Sequence, residues 1–373
     1  MKTKLSLWLA IALMMFPQIV ETIYSPALTN IAAGFSVSSE QAAQTLSFYF
    51  FAFALGVVVW GRMCDVIGRR PTMIAGLSLY GLASLLALLT QQFWLLLVAR
   101  MFSAFGAAVG SVGTQTIMRD SFRGDELARV FSVMGIALAV SPAVGMVSGS
   151  ALNYLSGYQA VFAGLAILAV ILICWSIVRL PETRPVNVIN VPLLSTAIIM
   201  LKDSSIWRHA FLIAFFNISL FSYYQLAPFH FAQLGLPQET FGYTGLLLTL
   251  GVGFGSLLNK YLLKKQWVSA RLVTLASLMS LLSGIGVYLL ENSGLFIFPM
   301  LGVVTAYGLA IPNILSSALN DYEDQLGTAG ALLGLFYYLL LGLGLALAGW
   351  SQALGCVLIF CGIATAFIST RSL

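Results

Sequence analysis

The chain has 373 residues, 60% hydrophobic and 8% charged, with a mean hydropathy of +0.95. A soluble globule carries roughly 25% charged residues, so that class is excluded. The net charge of +5 would suggest nucleic acid for a soluble protein; in so apolar a chain it reflects topology and attraction to anionic lipid, and no nucleic-acid partner is expected.

A helix that spans a bilayer needs roughly 20 mostly apolar residues. Runs of that kind predict twelve spans, at 5–30, 41–61, 72–91, 93–117, 128–152, 158–178, 207–232, 241–263, 271–290, 294–319, 325–349 and 351–370. Every Lys and Arg except Arg100 falls in clusters on one side of this pattern: Lys2 and Lys4; Arg62, Arg69 and Arg70; Arg119, Arg123 and Arg129; Arg179, Arg184, Lys202 and Arg208; Lys260, Lys264, Lys265 and Arg271; and Arg371. The opposite loops, at 36–41, 91–92, 153–157, 234–239, 291–294 and 350–352, carry none. The positive-inside rule puts the basic loops in the cytoplasm, and an even span count puts both termini there too. The expected fold is an all-α polytopic membrane protein of two six-helix halves, 1–180 and 207–373, joined by a cytoplasmic linker at 181–206 rich in Pro and charge. That division suits a transporter with its site at mid-membrane between the halves.

In chain order, the first apolar run could pass for a signal peptide. It continues through Glu21 to Leu28 without a small-residue cleavage site, so it reads as span 1. Glu21 lies roughly 13 Å below the outer end of that span at 1.5 Å per residue. After span 2 the chain reads Gly61-Arg62-Met63-Cys64-Asp65-Val66-Ile67-Gly68-Arg69-Arg70-Pro71. Its glycines permit a tight turn, and its acid and arginines form a charge cluster. Arg100 in span 4 lies roughly 10 Å below the outer surface. Glu21 and Arg100 are the charges well inside spans, and such residues are functional hypotheses by default. Glu21 is either a carboxylate that exchanges protons as access alternates or a structural partner locked to Arg100. Arg100 stays charged; it either tunes Glu21 and exchanges partners, or simply holds structure. The cysteines, Cys64, Cys174, Cys356 and Cys361, lack metal spacing and read as packing residues.

The order Gly, three residues, Asp, two residues, Gly-Arg-Arg resembles the signature loop of the major facilitator superfamily. The stretches Thr22-Ile23-Tyr24-Ser25-Pro26-Ala27-Leu28, Arg119-Asp120 with Ala128-Arg129-Val130-Phe131-Ser132, and Leu180-Pro181-Glu182-Thr183 look like its Bcr/CflA branch of bacterial drug-resistance antiporters. That branch usually has Asp where Glu21 stands and Leu where Ser25 stands. The resemblance implies a gating cluster of Gly61, Asp65, Gly68, Arg69, Arg70 and Asp120, in which Asp65 caps span 11 and Arg69 pairs with Asp120. It implies that Arg100, opening Arg100-Met101-Phe102-Ser103-Ala104-Phe105-Gly106, takes part in proton transfer. On span 5, Gly135, Pro142, Gly145 and Gly149 resemble the exporter motif, with Ser141 for the usual Gly. Pro142 kinks the helix, and the glycines are expected to pack on glycine-rich span 8.

Family geometry implies a cavity between spans 1, 4, 7 and 10. Its candidate lining is Gln18 and Ser25 beside Glu21, Tyr49, Gln115, Asn217, Tyr224, Gln225, Asn313, Phe336 and Tyr337. Such walls suit bulky amphipathic molecules, neutral or cationic. His230, near the outer end of span 7, either senses pH or bonds locally. No Gly-x-x-x-x-Gly-Lys stretch is present, so energy is expected from an ion gradient and no cofactor is expected. An intramembrane enzyme or a channel would need more polar groups inside the spans. The expected protein is a monomeric, proton-coupled exporter of amphipathic small molecules in the bacterial inner membrane. The alternatives are a dedicated exporter of a metabolite such as a siderophore or nucleoside, and a proton-coupled importer.

Overall fold

The structure, a computed structural model, describes residues 5–185 and 193–370; Lys2, Lys4, Pro192 and Arg371 lie outside them. All regular structure among these residues is helical: α1 (Leu7–Thr22), α2 (Leu28–Gly34), α3 (Ser39–Ile67), α4 (Arg69–Leu89), α5 (Phe93–Ser121), α6 (Gly124–Arg179), α7 (Leu193–Lys202), α8 (Ser204–Gln233), α9 (Gln238–Lys264), α10 (Ser269–Leu290), α11 (Ile297–Ser317), α12 (Leu326–Ser351) and α13 (Leu354–Thr370). Ten helical segments are long and apolar enough to cross a membrane. At 56 residues α6 is one of them, yet its length of about 84 Å at 1.5 Å per residue far exceeds a hydrocarbon core of about 30 Å. It breaks at Ser156 (φ −154°) and Gly157 (φ +66°), a conformation that favours glycine. Counting its two parts, and the 17-residue α13, gives twelve apolar segments among the described residues.

Three boundaries differ from the sequence expectation, while the break between spans 5 and 6 falls within the expected loop at 153–157. Helix α3 runs on to Ile67 and α4 starts at Arg69, so the turn between them is Gly68 alone (φ +107°). Gly61 therefore lies inside a helix, where a Cβ would make only an ordinary 3.4 Å contact with Val112. Span 1 is not continuous. Its helix stops at Thr22 and passes through a 3-10 turn at Ser25–Ala27, containing Pro26, into α2. The linker holds a helix, α7, that its Pro and charge content concealed.

The chain divides into two compact units, Met1–Val37 with Phe48–Val191, and Ser38–Ser47 with Pro192–Leu373. Small residues let helices in each unit approach closely. In the first, a Cβ at Gly106 of α5 would sit 2.7 Å from Gly76 O and 2.8 Å from Tyr80 N on α4. In the second, a Cβ at Gly308 of α11 would overlap the α9 backbone at Val252. The second unit's core gathers Ile213, Phe216, Leu272, Leu309, Leu332 and Phe336.

The span 5 glycines are used differently from expectation. Gly145 and Gly149 abut α1: a Cβ at Gly145 would lie 2.8 Å from Ile19 O, and one at Gly149 2.8 Å from Ile23 C. Gly135 faces open space. The span 8 glycines Gly251 and Gly255 abut Val304 and Thr305 of α11 instead. At Gly145, Gly149, Gly251 and Gly255 the close neighbours belong to the glycine's own unit.

Candidate functional site

Helix α1 brings Gln18 and Glu21 to one face, three residues apart, with Pro17 inside the helix one turn before Glu21. Proline removes a backbone hydrogen bond there and loosens the helix. The Glu21 side chain is buried, at 7% exposure, and its carboxylate makes no hydrogen bond or ion pair among the described residues. Arg100 on α5 is 1% exposed. Its guanidinium carbon lies 4.0 Å from the Tyr24 ring centre and 4.6 Å from that of Tyr49. The cation is caged by two aromatic faces, a contact strengthened by desolvation. Among the described residues, Nε and Nη2 of Arg100, the hydroxyl of Tyr49 and Oε1 of Gln18 have no hydrogen-bond partner. The charge of Arg100 acts on Glu21 through space, but no ion pair joins them. The guanidinium is held by π faces.

Other candidates fall elsewhere. Ser25 is fully buried in the 3-10 turn. Gln115 is half-buried on α5, about 22 Å along the helix from Arg100. In the second unit, Asn217 accepts from Tyr307 OH at 3.3 Å, and Asn313 donates to Asn259 Oδ1 at 2.7 Å. Gln225 is fully buried, and its amide donates to Ala43 O at 2.9 Å and Leu345 O at 3.0 Å. Nearby, Gln44 Nε2 donates to Ala346 O at 2.9 Å. Tyr224 packs edge-on to Phe221 and Tyr223, and Tyr337 lies against Tyr338. Phe336 stacks on Trp207 with 12° between the ring planes. His230 Nε2 meets Glu291 Oε1 at 2.6 Å.

The loop cluster is built around Arg69, which is 4% exposed. Its Nε lies 2.8 Å from Asp120 Oδ2 and its Nη1 3.1 Å from Asp65 Oδ1, and Nη1 also donates to Cys64 O. Thr183 Oγ1 donates to Asp120 at 3.2 Å. Arg70 donates to Ile177 O at 2.5 Å.

Sequence reasoning missed four residues. Tyr24 cages Arg100, and its spacing three residues after Glu21 was a visible signal. Tyr307 and Asn259 carried none. Glu182 was quoted for the resemblance alone, yet its carboxylate accepts from Arg69 N at 3.0 Å, Arg70 N at 3.1 Å and Arg184 N at 2.8 Å. It caps the start of α4, where a helix favours negative charge.

Partial desolvation opposes the Glu182 charge, but the backbone N–H groups of Arg184, Arg69, Arg70 and Thr183 outweigh it and hold the carboxyl below its usual range. A depressed folded pKa gives stability that is complete above the unfolded value of 4.5 and is lost as pH falls through the folded value. Glu182→Gln is therefore expected to cost about 1 kcal/mol at pH 7, allowing for solvent screening of this exposed side chain. Melting curves in detergent should show the gap to wild type closing as pH drops below 4.5. A gap that stays constant with pH would show that the charge plays no part.

Tightly packed apolar helices around a desolvated Arg and an unpaired Glu define a polytopic membrane transporter. The chain belongs to the major facilitator superfamily, whose profile matches residues 7–345. It is 31% identical over 91% of its length to an uncharacterized transporter of Rickettsia bellii, covering 88% of that protein. It is 26% identical to Multidrug resistance protein D of Escherichia coli (85% of this chain, 81% of that protein). To a bicyclomycin resistance protein homolog of Haemophilus influenzae it is 25% identical (86% and 83%). These matches agree with the Bcr/CflA-type resemblance of its motifs. A crystal structure of a bacterial homolog to human lysosomal transporter Spinster shares the fold, with TM-score 0.77, 16% identity and coverage of 98% of this chain and 96% of that one.

Proposed function

We propose that the protein is a proton-coupled exporter: protons enter and an amphipathic small molecule leaves by alternating access. The observation that carries this reading is the Arg100 cage beside an unpaired Glu21. A buried carboxylate with no fixed partner can take up a proton from one side and release it to the other. The permanently charged Arg100 biases that exchange and can accept a carboxylate or a substrate group as the neighbourhood changes. Orphaned buried donors are costly, and their retention beside a titratable group supports a working site over a packed one. The names of two relatives, a multidrug and a bicyclomycin resistance protein, support drugs and antibiotics as substrates.

In this reading residues 1–180 and 207–373 are six-span halves that rock about the site, linked by 181–206, with both termini cytoplasmic and the bacterial inner membrane as location. Asp65, Arg69 and Asp120 fasten the cytoplasmic side in the outward-facing state.

Inverted membrane vesicles with an imposed acid-inside gradient test the proposal. A panel of neutral and cationic antibiotics and dyes should include compounds that dissipate the gradient only when the protein is present. A folded protein that dissipates it with none of them sinks drug antiport.

A further inference from the structure

Where α7 hands over to α8, a cavity of about 470 Å³ is lined by Lys202, Ser204, Trp207, Arg208, Phe211 and Phe367. It lies within the second unit and apart from the groups assigned to proton coupling. Neither Lys202 nor Arg208 forms an ion pair among the described residues. The acid between them is committed elsewhere: Asp203 accepts from Ser205 N at 2.8 Å and from Tyr322 OH at 2.9 Å. Apart from Ser204, the other walls are apolar. Trp207 is a fixed wall, because its indole N–H donates to Leu201 O at 2.9 Å and its ring stacks on Phe336.

Helix α7 adds a second, independent signal. Thr196 and Met200 are buried, whereas Leu194 (75%), Ile199 (59%) and Ile198 (47%) are exposed. A ten-residue helix is too short to span a bilayer. With an apolar face turned outward and a cation at its end, it fits the membrane interface, its exposed side chains among acyl chains.

The geometry points to a binding site for an anionic glycerophospholipid, its phosphate between Lys202 and Arg208 and an acyl chain along Phe211 and Phe367. Ser204 offers a hydroxyl at the level of the phosphate. Charge complementarity selects an acidic headgroup over a zwitterionic one, and the aromatic walls select a lipid over free phosphate. Each basic residue near an anionic leaflet is worth about fivefold in affinity. The inference rests on the membrane-spanning reading above, but not on proton coupling.

Delipidated protein in a nonionic detergent would be titrated with phosphatidylglycerol, phosphatidylcholine or inorganic phosphate and followed by native mass spectrometry. Phosphatidylglycerol should bind in preference to phosphatidylcholine. The Lys202→Gln, Arg208→Gln double variant should lose about 25-fold of that affinity, and Arg208→Lys should keep most of it. If the double variant fails to fold, Lys202→Gln alone, at the exposed end of α7, carries the test with a loss of about fivefold. Equal uptake of the two lipids, unchanged affinity in the charge variants, or full competition by inorganic phosphate would each overturn the assignment. No proton flux enters this readout, so its failure leaves the export reading intact, and loss of coupling leaves this one intact.

Discussion

Glu21→Gln is expected to abolish substrate-triggered proton dissipation while leaving the protein folded and in the membrane. The structure separates these two effects. The Glu21 carboxylate has no hydrogen bond or ion pair among the described residues to lose, and Gln matches its volume. Removing a charge from a desolvated site does not destabilise it, because burial penalises the charged form. Melting temperature should therefore stay close to wild type. Function should fall to the background of empty vesicles, since an amide cannot carry a proton at physiological pH. Glu21→Asp keeps the titratable group on a shorter arm and should retain part of the flux. Dissipation that survives in Glu21→Gln would place the proton carrier elsewhere.

Gly149→Val is expected to have the second largest effect, and it acts on the same carboxylate without touching it. Gly145 and Gly149 seat the α1 backbone at Ile19 and Ile23, bracketing Glu21. Backbone cannot swing aside as a side chain can, so a Cβ at Gly149 must push the two helices apart. Overpacking of this kind costs about 1–3 kcal/mol, visible as a lowered melting temperature. The displaced α1 would carry Glu21 away from Arg100 and its cage, and dissipation should drop sharply. Gly135→Ala, facing open space on the same helix, should leave both melting and transport unchanged. Wild-type flux in Gly149→Val would show that the seat of α1 is not critical.

Apolar runs made the spanning helices legible, because burying an unpaired backbone group in lipid is costly enough to leave a trace in composition. Gly68 and Gly157 were legible as turns for a related reason: each takes a positive φ that other residues avoid. Helix α7 was not. Its ten residues are too few for a periodic signal to stand out between prolines and charges. Which partner the glycines of span 5 meet was equally hidden, since a small-residue face says that something approaches closely and not what. At the site, the sequence marked Glu21 and Arg100 by their charge in an apolar setting. It could not show that aromatic faces rather than the carboxylate hold the guanidinium. Tyr24 and Tyr49 are ordinary span residues until the folded backbone brings them to Arg100.

Helix α3 is fastened differently at its two ends. Near its start, Gln44 and the partner amide of Gln225 donate to the backbone carbonyls of Ala346, Ala43 and Leu345. Near its finish, Asp65 is tied to Arg69, with Asp65 more than a third exposed. Gln44 and Asp65 are about 32 Å apart along the axis, beyond a Debye length of about 10 Å at 0.1 M salt. Added salt therefore weakens the solvent-facing Asp65 contact and leaves the neutral amide hydrogen bonds near the start untouched. Salt on the side that Asp65 faces thus acts on the charged foot of a single helix, loosening it while the head stays pinned.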